Sequence, residues 1–87
     1  MTLKTRYIFE LSGGFAFVRD NPQDILKIFD ENKAELELMA EESPGRVECS
    51  SFLDITNELF PKGHITIKID GEYKFYELRT ETEIINI

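Results

Sequence analysis

Asn21-Pro22-Gln23-Asp24-Ile25-Leu26-Lys27-Ile28-Phe29 carries the signals of a helix start. Asn21 is a capping residue, Pro22 has a preset φ where no donor is needed, and Asp24 sits in the positive first turn. Ile25, Leu26, Ile28 and Phe29 follow at the i, i+1, i+3, i+4 spacing of one buried face. Asp30-Glu31-Asn32 reads as the end of this helix.

Alternation surrounds it on both sides. Upstream, Leu3, Thr5, Tyr7, Phe9 and Leu11 share one face and Lys4, Arg6, Ile8 and Glu10 the other, a period of two that predicts a strand over 3–11. Ser12-Gly13-Gly14 breaks it. Phe15-Ala16-Phe17-Val18-Arg19 then reads either as a second hairpin strand or as an apolar loop. Downstream, Ala34-Glu35-Leu36-Glu37-Leu38-Met39-Ala40-Glu41 is built of helix formers, but its Glu-Leu-Glu-Leu alternation and the turn after it favour a strand. Ser43-Pro44-Gly45-Arg46 has Pro and Gly at the two central positions of a type II turn, and Arg46-Val47-Glu48-Cys49 would be the returning strand.

Ser51-Phe52-Leu53-Asp54 matches the Ser-x-x-acid pattern that opens a helix. Phe52, Leu53, Ile55, Leu59 and Phe60 give that helix an apolar stripe, which Pro61-Lys62-Gly63 ends. Ile65, Ile67 and Ile69 alternate with Thr66 and Lys68 as a strand, and Asp70-Gly71 is a two-residue hairpin turn. Tyr73, Phe75, Tyr76 and Leu78 fit neither period. A hairpin strand over 72–78 with a short extended tail is the expectation there, against a terminal helix as the alternative.

Eighty-seven residues without repeats, linkers or low-complexity tracts form one domain, 1–87, stabilised by a single core. Seven Phe and three Tyr supply large apolar areas for it. One Cys and one His are too few for an internal disulfide or a tetrahedral zinc site. Cys49 reads as a small core hydrophobe. The lone cysteine, the absence of a roughly 18-residue apolar run and a Met1–Arg6 start without a signal-peptide core lead us to expect a cytoplasmic protein. Seventeen acids against ten bases give a charge of −7, which repels a polyanion and argues against nucleic-acid binding.

No catalytic constellation can be assembled from the spacing. His64 has no Ser, Cys or acid at motif distance and reads as a strand-end histidine. The Gly13-Gly14 pair lacks the framework of a phosphate loop, and Glu35/Glu37 and Glu81/Glu83 read as solvated strand faces rather than acid/base couples. We therefore expect no enzyme, no cofactor and no metal.

Two stretches resemble the histidine-containing phosphocarrier (HPr) family of the bacterial sugar phosphotransferase system. Val47-Glu48-Cys49-Ser50-Ser51-Phe52-Leu53-Asp54-Ile55 resembles that family's strand into its second helix, and His64-Ile65-Thr66-Ile67-Lys68-Ile69-Asp70-Gly71 its last strand and turn. The resemblance spans about residues 3 to 71 and implies that 13–19 is a loop entering the first helix. Where the family has its phosphorylated histidine, this chain has Ala16, and Arg19 and Pro22 are displaced; phosphocarrier activity therefore does not carry over. What the resemblance does imply is Ser51 at the regulatory serine position and an apolar contact surface around Phe15, Phe17, Phe52 and Leu53, with Arg19 beside it.

The expectation is an α+β open-faced sandwich, an antiparallel sheet of four or more strands with two helices on one face. Its function would be a non-catalytic, HPr-like regulatory or protein-interaction module with a protein partner and no nucleic acid, membrane or metal. The alternative is a small acidic inhibitor or immunity-type protein that blocks a basic active site.

Overall fold

The computed structural model describes residues 2–54 and 60–85. The elements are β1 (Thr2–Leu11), β2 (Phe15–Arg19), α1 (Pro22–Glu42), β3 (Val47–Asp54), β4 (Lys62–Ile69) and β5 (Glu72–Ile85). All five strands join one antiparallel sheet in the order β2-β1-β5-β4-β3. The protein is thus α+β, with a five-stranded sheet carrying α1 on one face.

Each side of the helix start behaves as its chemistry dictates. Asn21 has extended backbone, and its side chain accepts the Gln23 N–H at 2.9 Å. Ile25 and Phe29 lie fully buried against Phe9, Phe60, Ile65 and Leu78. Phe9 is the hub of this core: its ring meets Phe29 edge-on at 5.5 Å, Tyr76 at 6.3 Å and Phe17 at 6.4 Å.

Three expectations need correction. First, α1 does not end at Asn32 but runs 21 residues to Glu42, so 34–41 is helix rather than strand. The reason is helical spacing that the local alternation obscures. Leu36 lies seven residues beyond Phe29 and packs on the core, whereas Leu38 and Met39 face solvent. The helix formers and the Lys33–Glu37 pair at i, i+4 support the same state. The helix stops where the Ser43 N–H donates to the Met39 carbonyl at 3.0 Å, and Gly45 takes the positive φ (88°) that the Pro-Gly turn requires.

Second, residues 15–19 are a paired strand and not the loop implied by the phosphocarrier resemblance. Tyr7 to Leu11 pair with Arg19 to Phe15 across the three-residue connection Ser12-Gly13-Gly14. Both glycines sit at positive φ, which closes so short a hairpin without Cβ strain. Phe17 then stacks on Phe9, so core formation rewards the strand.

Third, Ser51 does not cap a helix. Ser51 to Asp54 continue β3, with Ser51 opposite Ile65, Phe52 opposite His64 and Asp54 opposite Lys62. The Ser-x-x-Asp spacing loses to eight residues of ladder hydrogen bonding. One helix, not two, is present among the described residues. The remainder of the expected second helix, 55–59, lies outside them.

The expected Ile65-Ile67-Ile69 strand and Asp70-Gly71 turn stand as read, with both turn residues at positive φ. β5 extends through Ile85 and is not a terminal helix. Its second half stays extended because β1 accompanies it, from Leu11 opposite Tyr76 to Thr2 opposite Ile85.

Candidate functional site on the open sheet face

Strand alternation sorts the side chains into two layers. Towards α1 point Tyr7, Phe9 and Leu11 of β1, Tyr76 and Leu78 of β5, Ile65 and Ile67 of β4, and Cys49 of β3. By register, the opposite layer holds Ile8, Val18, Phe52, His64, Lys68, Tyr73, Phe75, Glu77 and Arg79. No described element covers this second layer.

Its centre is aromatic. Phe52, His64 and Glu77 stand side by side on β3, β4 and β5, and the Phe52 and His64 rings meet at 4.6 Å. Phe75 and Tyr73 stack along β5 at 6.3 Å, and the Lys68 ammonium lies 5.2 Å from the Tyr73 ring centre. Phe52, Tyr73 and Phe75 remain 50%, 59% and 60% exposed. Phe52, Asp54, Lys62, His64, Phe75 and Glu77 border a shallow groove of about 480 Å³.

Electrostatics separate the two sides of the molecule. α1 carries seven acids and two bases. The open face, by register, carries five bases (Lys4, Arg6, Lys62, Lys68, Arg79) and six acids (Glu10, Glu48, Asp54, Glu77, Glu81, Glu83), a near balance. Several of these are paired there, Arg6 with Glu83 at 3.1 Å and Arg79 with Glu10 at 3.4 Å. The excess negative charge therefore lies chiefly on the helix side.

Of the residues singled out from the sequence, the structure brings only Phe52 to this groove. Phe15, Phe17 and Arg19 lie on β2 and Ser51 and Leu53 on β3, all in the helix-side layer. The two groups occupy opposite edges of the sheet, four strand spacings or about 19 Å apart. They do not form one surface. The residues missed were His64, Tyr73, Phe75 and Glu77. For Tyr73 and Phe75 the signal was the ambiguous apolar cluster at 73–78, whereas His64 was read only as a strand-end histidine and Glu77 carried no signal. The cluster resolves once Tyr73 and Phe75 are placed on one face and Tyr76 and Leu78 on the other.

Cys49 faces α1, where burial, and then the charge of Glu37, push its thiol pKa up, partly offset by Lys33. That suppresses the thiolate and its nucleophilicity. Among the described residues no group of three or more His, Cys, Asp or Glu is placed to hold a metal ion, and no helix is long and apolar enough to cross a membrane.

No family model matches the chain, and no curated protein or solved structure does either.

Proposed function

We propose that this protein is a non-catalytic protein-interaction module that binds its partner on the open sheet face, at Phe52, His64, Tyr73 and Phe75. The observation carrying this reading is the cluster of three half-exposed aromatic residues on one uncovered face. Grouped exposed aromatics mark binding surfaces, because large rings desolvate cheaply and anchor a partner. Asp54 and Glu77 border the same groove beside Lys62, so the partner segment is apolar with a Lys or Arg set against the two carboxylates.

The regulatory, HPr-like form of this reading has less support. Ala16 lies on an edge strand instead of a phosphate-accepting loop, and Ser51 lies mid-strand.

The test is retention of a partner from native-cell extract by three immobilised proteins. Phe52→Ala/Phe75→Ala should lose the partner that wild type retains. Leu38→Ala/Met39→Ala, on the outer side of α1, should keep it. Loss by the helix variant with retention by the sheet variant would sink the proposal. That result would favour an acidic inhibitor acting through α1, a second reading suggested by the seven acids on that helix. Binding through α1 would also weaken steeply with salt, whereas aromatic anchoring would weaken little.

A further inference from the structure

β3 forms one edge of the sheet, and no described strand pairs with its outer side. Edge strands are normally blunted by proline, by charged side chains and lysine above all, by a bulge or by a very short length, and β3 carries only Glu48 and Asp54 of these. β3 has eight residues, a regular register with β4 and neither Pro nor Lys. Phe52 and Leu53 leave about half their surface exposed on its two faces.

We infer that β3 pairs antiparallel with β3 of a second copy of this chain, with Ser50 on the two-fold axis, joining two five-stranded sheets into one of ten. The register follows from self-complementarity. In a two-fold antiparallel pair that keeps α1 of both copies on the same side, opposed residue numbers sum to an even value. A sum of 100 sets Val47 against Leu53 and Cys49 against Ser51 in the helix-side layer. In the open layer it sets Glu48 against Phe52 and Ser50 against Ser50. It also brings Arg46, at the strand entrance, opposite Asp54. Each apolar and each charged contact occurs twice, and no like charges stand directly opposed, Glu48 and Asp54 being diagonal at about 7–8 Å.

The neighbouring registers are worse. A sum of 102 opposes Glu48 to Asp54, two carboxylates directly across the ladder. A sum of 98 pairs only Val47 to Ser51 and pushes Leu53 against Gly45 in the turn. Arg46 already gives Nε and Nη2 to the Asp70 carboxylate at 3.1 Å each. Its guanidinium has five donors, so it can bridge Asp70 and the Asp54 carboxylate of the second copy. The pairing would also make the two aromatic faces continuous, with the two Phe52 side chains flanking the axis. It does not depend on whether that face binds another protein.

Two measurements test it. Sedimentation of the wild-type protein from about 10 µM to 1 mM, the range expected of a weak edge contact, should show a monomer–dimer equilibrium, and Asp54→Lys, which faces Arg46 with a like charge, should shift it towards monomer. Disulfide trapping reads the register. In a Cys49→Ala background, Ser50→Cys should form a covalent dimer with oxidised glutathione, because directly opposed residues lie about 4.5–5.5 Å apart. Ser51→Cys in the same background should form far less, because its symmetry mate lies diagonally, about 7–8 Å away. A wild-type protein that stays monomeric to 1 mM would overturn the dimer. A covalent dimer forming more readily through Ser51→Cys than through Ser50→Cys would overturn the register.

Discussion

Asn21 holds an extended backbone while its carboxamide oxygen takes the Gln23 amide, satisfying a donor that the first helical turn leaves open. Asn21→Ala should therefore lower stability by about 1 kcal/mol in urea melts, without changing the m-value. Gly63 is constrained for a different reason. A Cβ there would fall 2.5 Å from Leu53 Cδ2 and 3.1 Å from the Phe52 carbonyl oxygen. The Leu53 side chain can swing aside, but the carbonyl belongs to the β3 backbone. Gly63→Ala should cost about 1–3 kcal/mol, and a urea melt overlapping wild type would refute the close approach. Cys49 makes a pH prediction. Its folded pKa lies above the unfolded value, so its contribution is fully present below the ordinary thiol pKa of 9.0 and is lost as pH rises through the folded one. Stability should thus fall across that alkaline window, and more shallowly in Cys49→Ala. Equal slopes would show that burial does not penalise the thiolate.

Among the elements, α1 is where sequence and structure part most instructively. Its first two turns were legible because cap, proline, acid and apolar spacing all agree, and agreement between independent local signals leaves little choice. Its second half was not. Glu35-Leu36-Glu37-Leu38 satisfies a strand period over four residues, and only the distance from Phe29 to Leu36 shows the helical stripe continuing. Mutagenesis separates the two readings. Leu36→Ala should cost about 2 kcal/mol, because Leu36 packs on the core. Leu38→Ala should change stability by less than about 0.5 kcal/mol, because Leu38 is exposed. Comparable losses at both positions would mean that the segment buries alternate residues as a strand would. β3 was misread for the converse reason. Ser51-Phe52-Leu53-Asp54 has a plausible cap and the alternation that starts at Val47 breaks at Ser50-Ser51, so only the pairing with β4 carries the strand on to Asp54, where its ladder outweighs one capping hydrogen bond.

At the scale of the whole molecule, the chain is elongated. Its radius of gyration is 14.9 Å and its longest extent 53 Å, against about 12 Å expected for the radius of a compact domain of this length. The cause is β1 and β5. They continue together past the ends of β2 and β4, so Thr2 to Arg6 and Glu81 to Ile85 form a two-stranded ribbon. Leu3 and Ile84 are exposed on it, and Arg6–Glu83 is an exposed ion pair of small net value. Amide exchange should accordingly run much faster along this ribbon than at Phe9, Ile65 and Leu78, the centre of the core. Uniform protection along β1 would contradict the structure.

The sequence by itself determined the α+β class, the start of α1, the first strand, the Pro44-Gly45 and Asp70-Gly71 turns and the Ile65–Ile69 strand. Each is set by neighbouring residues: a cap and its first turn, a side-chain period, or a dipeptide that permits positive φ. Only the tertiary structure decided that 15–19 pairs with β1, that α1 runs to Glu42, that Ser51 stays in a strand and that Tyr73 and Phe75 share a face with Phe52 and His64. Those outcomes depend on partners distant in the chain. A segment compatible with two local states takes the one whose side chains find a core and whose backbone finds a ladder, and neither exists until the strands have met.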